Sequence, residues 1–294
     1  MVLVSERADL VAEVSDRVGS AREAGWIVDH AMTALPGDDV AARELAQSLA
    51  GRRAAGEPLQ YVLGTWAFRH LELAVDRRVL IPRPETEQVV EVALDELAAM
   101  APTRHPDEGP MVCVDLGTGS GAIALALATE GTAGGLALEV WATDASPDAL
   151  DVARYNRDAL ATVDPAAAER VHVAGGSWFD ALPGHLARRI DLVVANPPYV
   201  TDDEYAHLDP TVRDWEPRSA LVAAHGRGGV AGMADIEAVV AGAGAWLRRP
   251  GALVVELAPS QAYAAVDAAR LAGFAEVGTA RDLAGRLRML VARR

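Results

Sequence analysis

The chain has 294 residues, of which 51% are hydrophobic and 23% are charged, and its formal net charge at pH 7 is −15. This length suits one large domain or two smaller ones, and the apolar fraction excludes a disordered chain. The acidic balance disfavours a nucleic-acid partner, because affinity for phosphates comes largely from Lys and Arg contacts.

Other classes of protein are excluded by the composition and by the first residues. No run of about 18 apolar residues predicts a membrane span. The single cysteine, Cys113, excludes an internal disulfide, and the 7 histidines are scattered, so we expect no metal site. The first ten residues contain Glu6 and Asp9 without a basic flank, which predicts no signal peptide and a cytoplasmic protein.

The first part of the chain predicts a small helical domain. Apolar residues recur at helical spacing from Ser5 to about Gly56, with breaks near Gly19 and near residues 36–37. Partial alternation of apolar and polar residues over residues 66–76 is typical of a hairpin strand. A helix is predicted from residue 86 to about residue 100, before a proline-rich loop over 101–110. We therefore expect three parts: a helical domain over 1–64, a connecting β-hairpin over 65–85 and a larger domain over 86–294.

After residue 110 the pattern changes to strands that alternate with helices. Seven strands are predicted, over residues 111–115, 138–143, 170–174, 191–195, 252–257, 275–279 and 287–292. Helices are predicted between them, notably over residues 148–160, 234–247 and 260–271. This alternation indicates an α/β fold in which a mostly parallel seven-stranded sheet is covered on both faces.

A glycine-rich turn follows the first of these strands. Gly117, Gly119 and Gly121 allow a ligand to approach the backbone closely, and the next helix offers free N–H groups. The turn also fits the dinucleotide pattern G-x-G-x-x-A. Asp144 ends the second strand, where a carboxylate can accept two hydrogen bonds from a ribose diol. Because NAD and S-adenosyl-L-methionine both carry that ribose, Asp144 does not separate them.

The sequence Asn-Pro-Pro-Tyr at residues 196–199 distinguishes between these two candidate cofactors. Pro197 and Pro198 remove backbone donors and stiffen the loop, which aims the Asn196 side chain. An amide oxygen and a carbonyl oxygen can together accept both hydrogens of an –NH2 group, and Tyr199 can stack on a flat conjugated system. These four residues are therefore the predicted catalytic residues for methyl transfer to a planar nitrogen.

Taken together, the glycine turn, Asp144 and residues 196–199 resemble class I S-adenosyl-L-methionine-dependent methyltransferases that act on conjugated nitrogen. The motifs at residues 56–64, 80–87 and 215–221 resemble the HemK/PrmC family. That family methylates the glutamine amide of the Gly-Gly-Gln motif in class 1 peptide chain release factors, which modulates translation termination. The resemblance implies a Rossmann-like methyltransferase domain, a helical domain that docks the release factor, and a hairpin between them.

The resemblance also implies roles for individual residues. The glycine turn would surround the methionine end of the cofactor, Asp144 would hold the ribose, and Trp178 would flank the adenine. Residues 196–199 would grip the glutamine amide. The sequence departs from the family at Ser177, where Asp is frequent, and at Ala258, where Gly is usual. The predicted cofactor-binding residues are Asp115, Gly117, Thr118, Gly119, Ser120, Gly121, Asp144, Trp178 and Asn196.

An adenine-N6 methyltransferase of DNA or RNA is the nearest alternative, because such enzymes use a similar tetrapeptide. It would need a basic groove for phosphates, and the net charge of −15 speaks against one. A binding protein that kept the cofactor fold without catalysis is the second alternative. The intact tetrapeptide at residues 196–199 argues against it.

Overall fold

The computed structural model describes residues 2–224 and 230–294. Its first part is helical, as predicted. Hydrogen bonds from backbone N–H groups to the side chains of Ser20 and Asp38 cap the second and third helices. The apolar faces of the helices share one core, which includes Leu10, Val14, Ile27, Val28, Leu49, Leu59 and Val62. The helices are α1 (Val2–Val18), α2 (Ala21–Ala34), α3 (Asp39–Ala54) and α4 (Leu59–Leu63).

An antiparallel hairpin follows the helices and leads to a long helix. Strands β1 (Thr65–Phe68) and β2 (Leu71–Ala74) form a two-stranded sheet of their own. Helix α5 (Pro84–Met100) begins two residues before the predicted start. Pro84 occupies its first turn, where the fixed φ of proline is already helical and no N–H is needed.

The remaining elements form the α/β domain, and the seven predicted strands are all present within a few residues of their predicted bounds. The largest difference is at the fifth of these strands, which begins at Leu247 because residues before the predicted start extend along Ile190. The elements are β3 (Met111–Leu116), α6 (Ala122–Ala133), β4 (Leu138–Asp144), α7 (Pro147–Leu160), α8 (Pro165–Glu169), β5 (Val171–Gly175), β6 (Ile190–Ala195), α9 (Asp202–Ala206), α10 (Pro210–Arg213), α11 (Ala234–Trp246), β7 (Leu247–Glu256), α12 (Ala262–Leu271), β8 (Glu276–Arg281) and β9 (Leu287–Arg293).

The sheet has the strand order β5-β4-β3-β6-β7-β9-β8. Strands β5, β4, β3, β6 and β7 are parallel, and β9 runs antiparallel to both β7 and β8. The chain runs outward from β3 on one side and from β6 on the other, so the strand order reverses between these two strands. Ligands of open α/β sheets bind in the crevice at the carboxyl ends of the strands beside such a switch point.

Alternating side chains of the strands bury two separate cores, one on each face of the sheet. Met111 and Cys113 of β3 belong to the core under α5 and α6. Val112 and Val114 belong to the opposite core under α11 and α12. Burial on both faces explains why the central strands β3 and β6 are nearly continuous apolar runs. Among the described residues, no helix is long and apolar enough to cross a membrane.

Candidate active site

A cavity of about 560 Å³ lies at the carboxyl ends of β3, β4 and β6. Its volume is within the range of roughly 300–1,000 Å³ that is usual for small-molecule sites. The predicted site residues along its wall are Gly117, Thr118, Gly119, Ser120, Asp144, Trp178, Asn196 and Pro198. Four predicted residues are not among its described lining, namely Asp115, Gly121, Pro197 and Tyr199.

The glycine turn has a backbone that other residues adopt poorly. Gly117, Gly119 and Gly121 have φ values of +75°, +55° and +86°, which lie in the left-handed region that favours glycine. The N–H groups of Gly117 and Thr118 both donate to the carbonyl of Thr143 at 2.8 Å. The turn is therefore tied to the end of β4 and carries its backbone along the cavity wall.

Asp115 lies behind the glycine turn. Its Oδ2 atom accepts hydrogen bonds from Thr118 Oγ1 at 2.6 Å and from the N–H of Ala124 at 3.2 Å. The side chain is fully buried, and no described group bonds to its Oδ1 atom. Burial raises the pKa of Asp115 to about 7. The observed contacts of Asp115 thus hold the turn to α6, and direct contact with a cofactor stays a prediction.

Asp144 faces the cavity with a fixed carboxylate. Its Oδ2 atom accepts from the N–H of Gly119 and its Oδ1 atom from the N–H of Ser146, each at 2.9 Å. Ser146 in turn caps α7, and Pro147 is the first residue of that helix. Each carboxylate oxygen has a further lone pair. Asp144 can therefore accept the two hydroxyl hydrogens of a ribose diol, and the site fits the predicted cofactor.

Trp178 lines the cavity beside the glycine turn. Its φ is +46°, which bulky residues rarely adopt and which costs energy at a functional site. A Cβ atom added to Gly117 would lie 3.7 Å from Cζ3 of the Trp178 ring. The ring therefore lies next to the backbone of Gly117, a position from which it can flank a flat group. The adenine contact itself stays a prediction.

The tetrapeptide begins directly after β6. Asn196 Nδ2 donates to Thr86 Oγ1 at 3.2 Å. Pro197 is buried, and no described group donates to its carbonyl. The ring of Tyr199 packs against the core under α11 and α12, with the Arg288 guanidinium 5.9 Å from its centroid. Burial raises the pKa of the Tyr199 hydroxyl. Asn196 thus lines the cavity, while the grip of its oxygen and the Pro197 carbonyl on a substrate amide, and stacking by Tyr199, stay predictions.

Sequence reasoning missed the residues that support this loop. Gln261 Nε2 donates to the carbonyl of Tyr199 at 3.0 Å. The backbone of Gly232 lies so close that an added Cβ atom would stand 2.3 Å from that carbonyl oxygen. The Thr86 hydroxyl accepts from the side chain of Asn196 and donates to Glu256. The available signal was weak, because Thr86 stands in the motif at residues 80–87 and Gln261 in none of the motifs, and nothing local indicates what either residue contacts.

A smaller cavity of about 270 Å³ lies between the helical part and the larger domain. Its lining includes Trp26, Arg53, Trp66, Arg83 and Glu216. Arg83 also lines the larger cavity and donates to Glu216 Oε1 at 2.6 Å. The two cavities therefore share the Arg83 side chain as a wall.

Comparison with known proteins identifies the family. A model of the methyltransferase small domain matches residues 99–209. A release factor glutamine methyltransferase of Bordetella pertussis is 38% identical over 284 residues, which cover 97% of this chain and 88% of that protein. One of Burkholderia pseudomallei is 39% identical over 280 residues, covering 95% of this chain and 90% of that protein. The chain belongs to the release factor glutamine methyltransferase family.

Membership confirms the resemblance to the HemK/PrmC family. A solved methyltransferase from Pyrococcus furiosus has 17% identity and a TM-score of 0.50, and the match covers 77% of this chain and 90% of that chain. This likeness supports the α/β methyltransferase fold alone. S-adenosyl-L-methionine is accordingly the cofactor, and its contacts with the glycine turn and Asp144 stay predictions. The adenine-N6 alternative is not favoured by these relatives.

Proposed function

We propose that this chain methylates the side-chain amide nitrogen (N5) of the glutamine in the Gly-Gly-Gln motif of class 1 peptide chain release factors. One observation carries the proposal. Asn196, which can accept from an amide –NH2 group, lines the same cavity as Asp144, which can hold the ribose of the cofactor. Membership of the release factor glutamine methyltransferase family supports the choice of substrate.

In this reaction S-adenosyl-L-methionine supplies an electrophilic methyl group. Asn196 Oδ1 and the Pro197 carbonyl accept the two hydrogens of the substrate –NH2 group. This grip turns the nitrogen lone pair away from conjugation and favours the pyramidal nitrogen of the transition state. Both acceptors are held before the substrate arrives, so catalysis is by orientation and electrostatics. A methylated, pyramidal amide nitrogen is strongly acidic, so its proton passes to water without a strong base.

The helical part over residues 1–64 docks the body of the release factor in this proposal. A glutamine at a loop tip offers little contact area, and association must offset several kcal/mol of lost freedom. The smaller cavity offers the second contact, because its wall includes Trp26 and the shared residue Arg83. An enzyme with this substrate works where translation takes place, which agrees with the expected cytoplasmic location.

The test uses the full-length protein, labelled S-adenosyl-L-methionine and an unmodified class 1 release factor. Mass spectrometry of the Gly-Gly-Gln peptide is expected to find one methyl group on that glutamine. Asn196→Ala is expected to lower kcat by about 10²–10³, by analogy with the loss of one group aimed at a transition state. Labelling of an adenine oligonucleotide but not of the release factor would overturn the proposal.

A further inference from the structure

Thr86 and Glu256 form a buried polar pair directly behind Asn196. The Thr86 hydroxyl donates to Glu256 Oε2 at 2.7 Å and accepts from Asn196 Nδ2 at 3.2 Å. Thr86 is 4% exposed and Glu256 is 1% exposed. The three residues come from the first turn of α5, the end of β7 and the position after β6.

The direction of these two hydrogen bonds follows from the number of hydrogens available. A threonine hydroxyl has one hydrogen, and an ionised carboxylate can only accept. While Glu256 is ionised, it accepts the hydrogen of Thr86, so the Thr86 oxygen can only accept from Asn196. Only the NH2 group of Asn196 can donate to it. With the NH2 group of Asn196 bonded to Thr86, its Oδ1 atom points the other way. No donor within residues 2–224 and 230–294 bonds to this oxygen.

We propose that Thr86 is a positioning residue that acts with Glu256 to hold the Asn196 side chain with its oxygen, not its NH2 group, toward the substrate nitrogen. The proposal rests on the proposed function, in which the substrate group is an amide –NH2. Such a group carries two hydrogens and needs acceptors. If the Asn196 side chain were flipped, its NH2 hydrogens would face the hydrogens of the substrate amide. The orientation of the Asn196 amide therefore decides whether the substrate amide is bound or repelled.

The environment of Glu256 makes the hydrogen bond between Thr86 and Glu256 depend on pH. Burial raises the pKa of Glu256 to about 7. A protonated Glu256 can donate to Thr86, and the direction of the hydrogen bonds is then no longer unique. We therefore expect kcat to fall as the pH falls through about 7. The other charged or titratable groups that act on Glu256 are Arg288, Arg83, Glu85 and Tyr199.

The kinetic test compares substitutions that differ in one hydroxyl. Thr86→Val keeps the shape of the side chain and is expected to lower kcat about threefold to tenfold, the range of one net hydrogen bond. The KM for the release factor and the affinity for the cofactor should change less. Thr86→Ser should restore most of kcat. Thr129→Val is the matched control, because the Thr129 hydroxyl donates to the carbonyl of Leu125 within α6.

A second readout does not depend on methylation. The side-chain NH2 signals of Asn196 in a ¹⁵N spectrum are assigned by their loss in Asn196→Asp. Slow exchange of these hydrogens with water is expected in the unsubstituted protein and in Thr86→Ser, and fast exchange in Thr86→Val. If Thr86→Val does not fold, Glu256→Gln replaces it, since a glutamine can also donate to Thr86 and should remove the pH dependence of kcat.

The two proposals fail in different ways. Unchanged kcat, unchanged pH profile and unchanged exchange of the Asn196 hydrogens in the folded variant would overturn the positioning role. A protein that shows the expected exchange pattern but leaves the release factor unmethylated would overturn the proposed function and keep the positioning of Asn196.

Discussion

At the scale of single residues, Asp144 combines two tasks. Its carboxylate accepts hydrogen bonds from the N–H groups of Gly119 and Ser146, and it faces the cavity. These backbone bonds keep its oxygens in place before a ligand arrives. Preorganisation of this kind lowers the entropy that binding must offset.

Asp144→Ala is therefore expected to weaken binding of S-adenosyl-L-methionine. A hydrogen bond to a charged acceptor contributes roughly 1.5–3 kcal/mol, so the Kd should rise by about 10- to 100-fold. Isothermal titration calorimetry measures the change. Asp151→Ala removes an exposed carboxylate on α7 and should leave the Kd unchanged. Equal Kd values for Asp144→Ala and the unsubstituted protein would contradict the ribose role.

Gly232 shows a second constraint on a single residue. Its φ is +77°, and an added Cβ atom would stand 2.3 Å from the Tyr199 carbonyl oxygen and 2.5 Å from Gln261 Nε2. The first of these neighbours is backbone and cannot move aside cheaply. A larger residue at position 232 must therefore displace the tetrapeptide loop.

We expect Gly232→Ala to lower kcat by at least about tenfold, since a displacement of about 1 Å in an active site can cost roughly 10²-fold. Gly273→Ala is the matched control. Gly273 also has a positive φ, +85°, but an added Cβ atom would meet nothing within 4 Å. The comparison of kcat and thermal unfolding in the two variants separates the steric effect from backbone strain. A similar kcat for both would show that the clash is absorbed without moving the loop.

At the scale of elements, the active site is made where strands end. The carboxyl ends of β3, β4, β6 and β7 lie along one edge of the sheet, and each is followed by a turn or loop that carries a site residue. At the junction of β3 and α6 the side chain of Asp115 is fully buried. There Asp115 binds the hydroxyl of Thr118 and the N–H of Ala124 across the turn.

The raised pKa of Asp115 predicts a pH dependence of stability. The pKa is about 7 in the folded protein and about 3.9 in an unfolded chain. Between these values the folded state binds more protons, so this carboxyl stabilises the fold below about pH 4 and the contribution is lost as the pH rises to about 7. Glu256, with a pKa raised by burial to about 7, acts in the same direction.

Asp115→Asn should therefore reduce, without abolishing, the fall in unfolding free energy between pH 5 and pH 8. Urea unfolding at several pH values measures it. Asp95→Asn, at an exposed position of α5, controls for the loss of one negative charge. The same pH slope in Asp115→Asn and in the unsubstituted protein would show that Asp115 is ionised in the fold throughout this range.

At the scale of the whole molecule, the helical part and the larger domain enclose the smaller cavity. Leu59 and Val62 belong to the helical core, so a deletion that ends near residue 56 would uncover them. Tyr61, between them, donates its hydroxyl to the carbonyl of Val79 at 2.5 Å. The docking proposal is therefore best tested by substitution in the full chain.

Trp26→Ala is the substitution of choice. Trp26 is 39% exposed, meets Trp66 edge-on with ring centroids 6.2 Å apart, and lines the smaller cavity. Aromatic residues in such positions often contribute more than about 1–2 kcal/mol to a protein interface, so KM for the intact release factor should rise about tenfold. The kcat and the cofactor affinity should stay nearly constant.

Tyr263→Ala is the control for this prediction, because Tyr263 is 77% exposed on α12. A short Gly-Gly-Gln peptide should be an equally poor substrate for the unsubstituted protein and for Trp26→Ala. If KM for the intact release factor is the same in Trp26→Ala, the smaller cavity is not the docking site.

The sequence by itself determined the order of elements, the mostly parallel sheet, the glycine turn and the tetrapeptide. These features are local: strand and helix periods, glycines with positive φ and consecutive prolines act over a few neighbouring residues. Only the tertiary structure decided which residues contact the glycine turn and the tetrapeptide. The pairs Asn196–Thr86 and Thr86–Glu256 are separated by 110 and 170 residues in sequence. No local pattern encodes such contacts, because burial and hydrogen-bond partners depend on how the strand ends pack together.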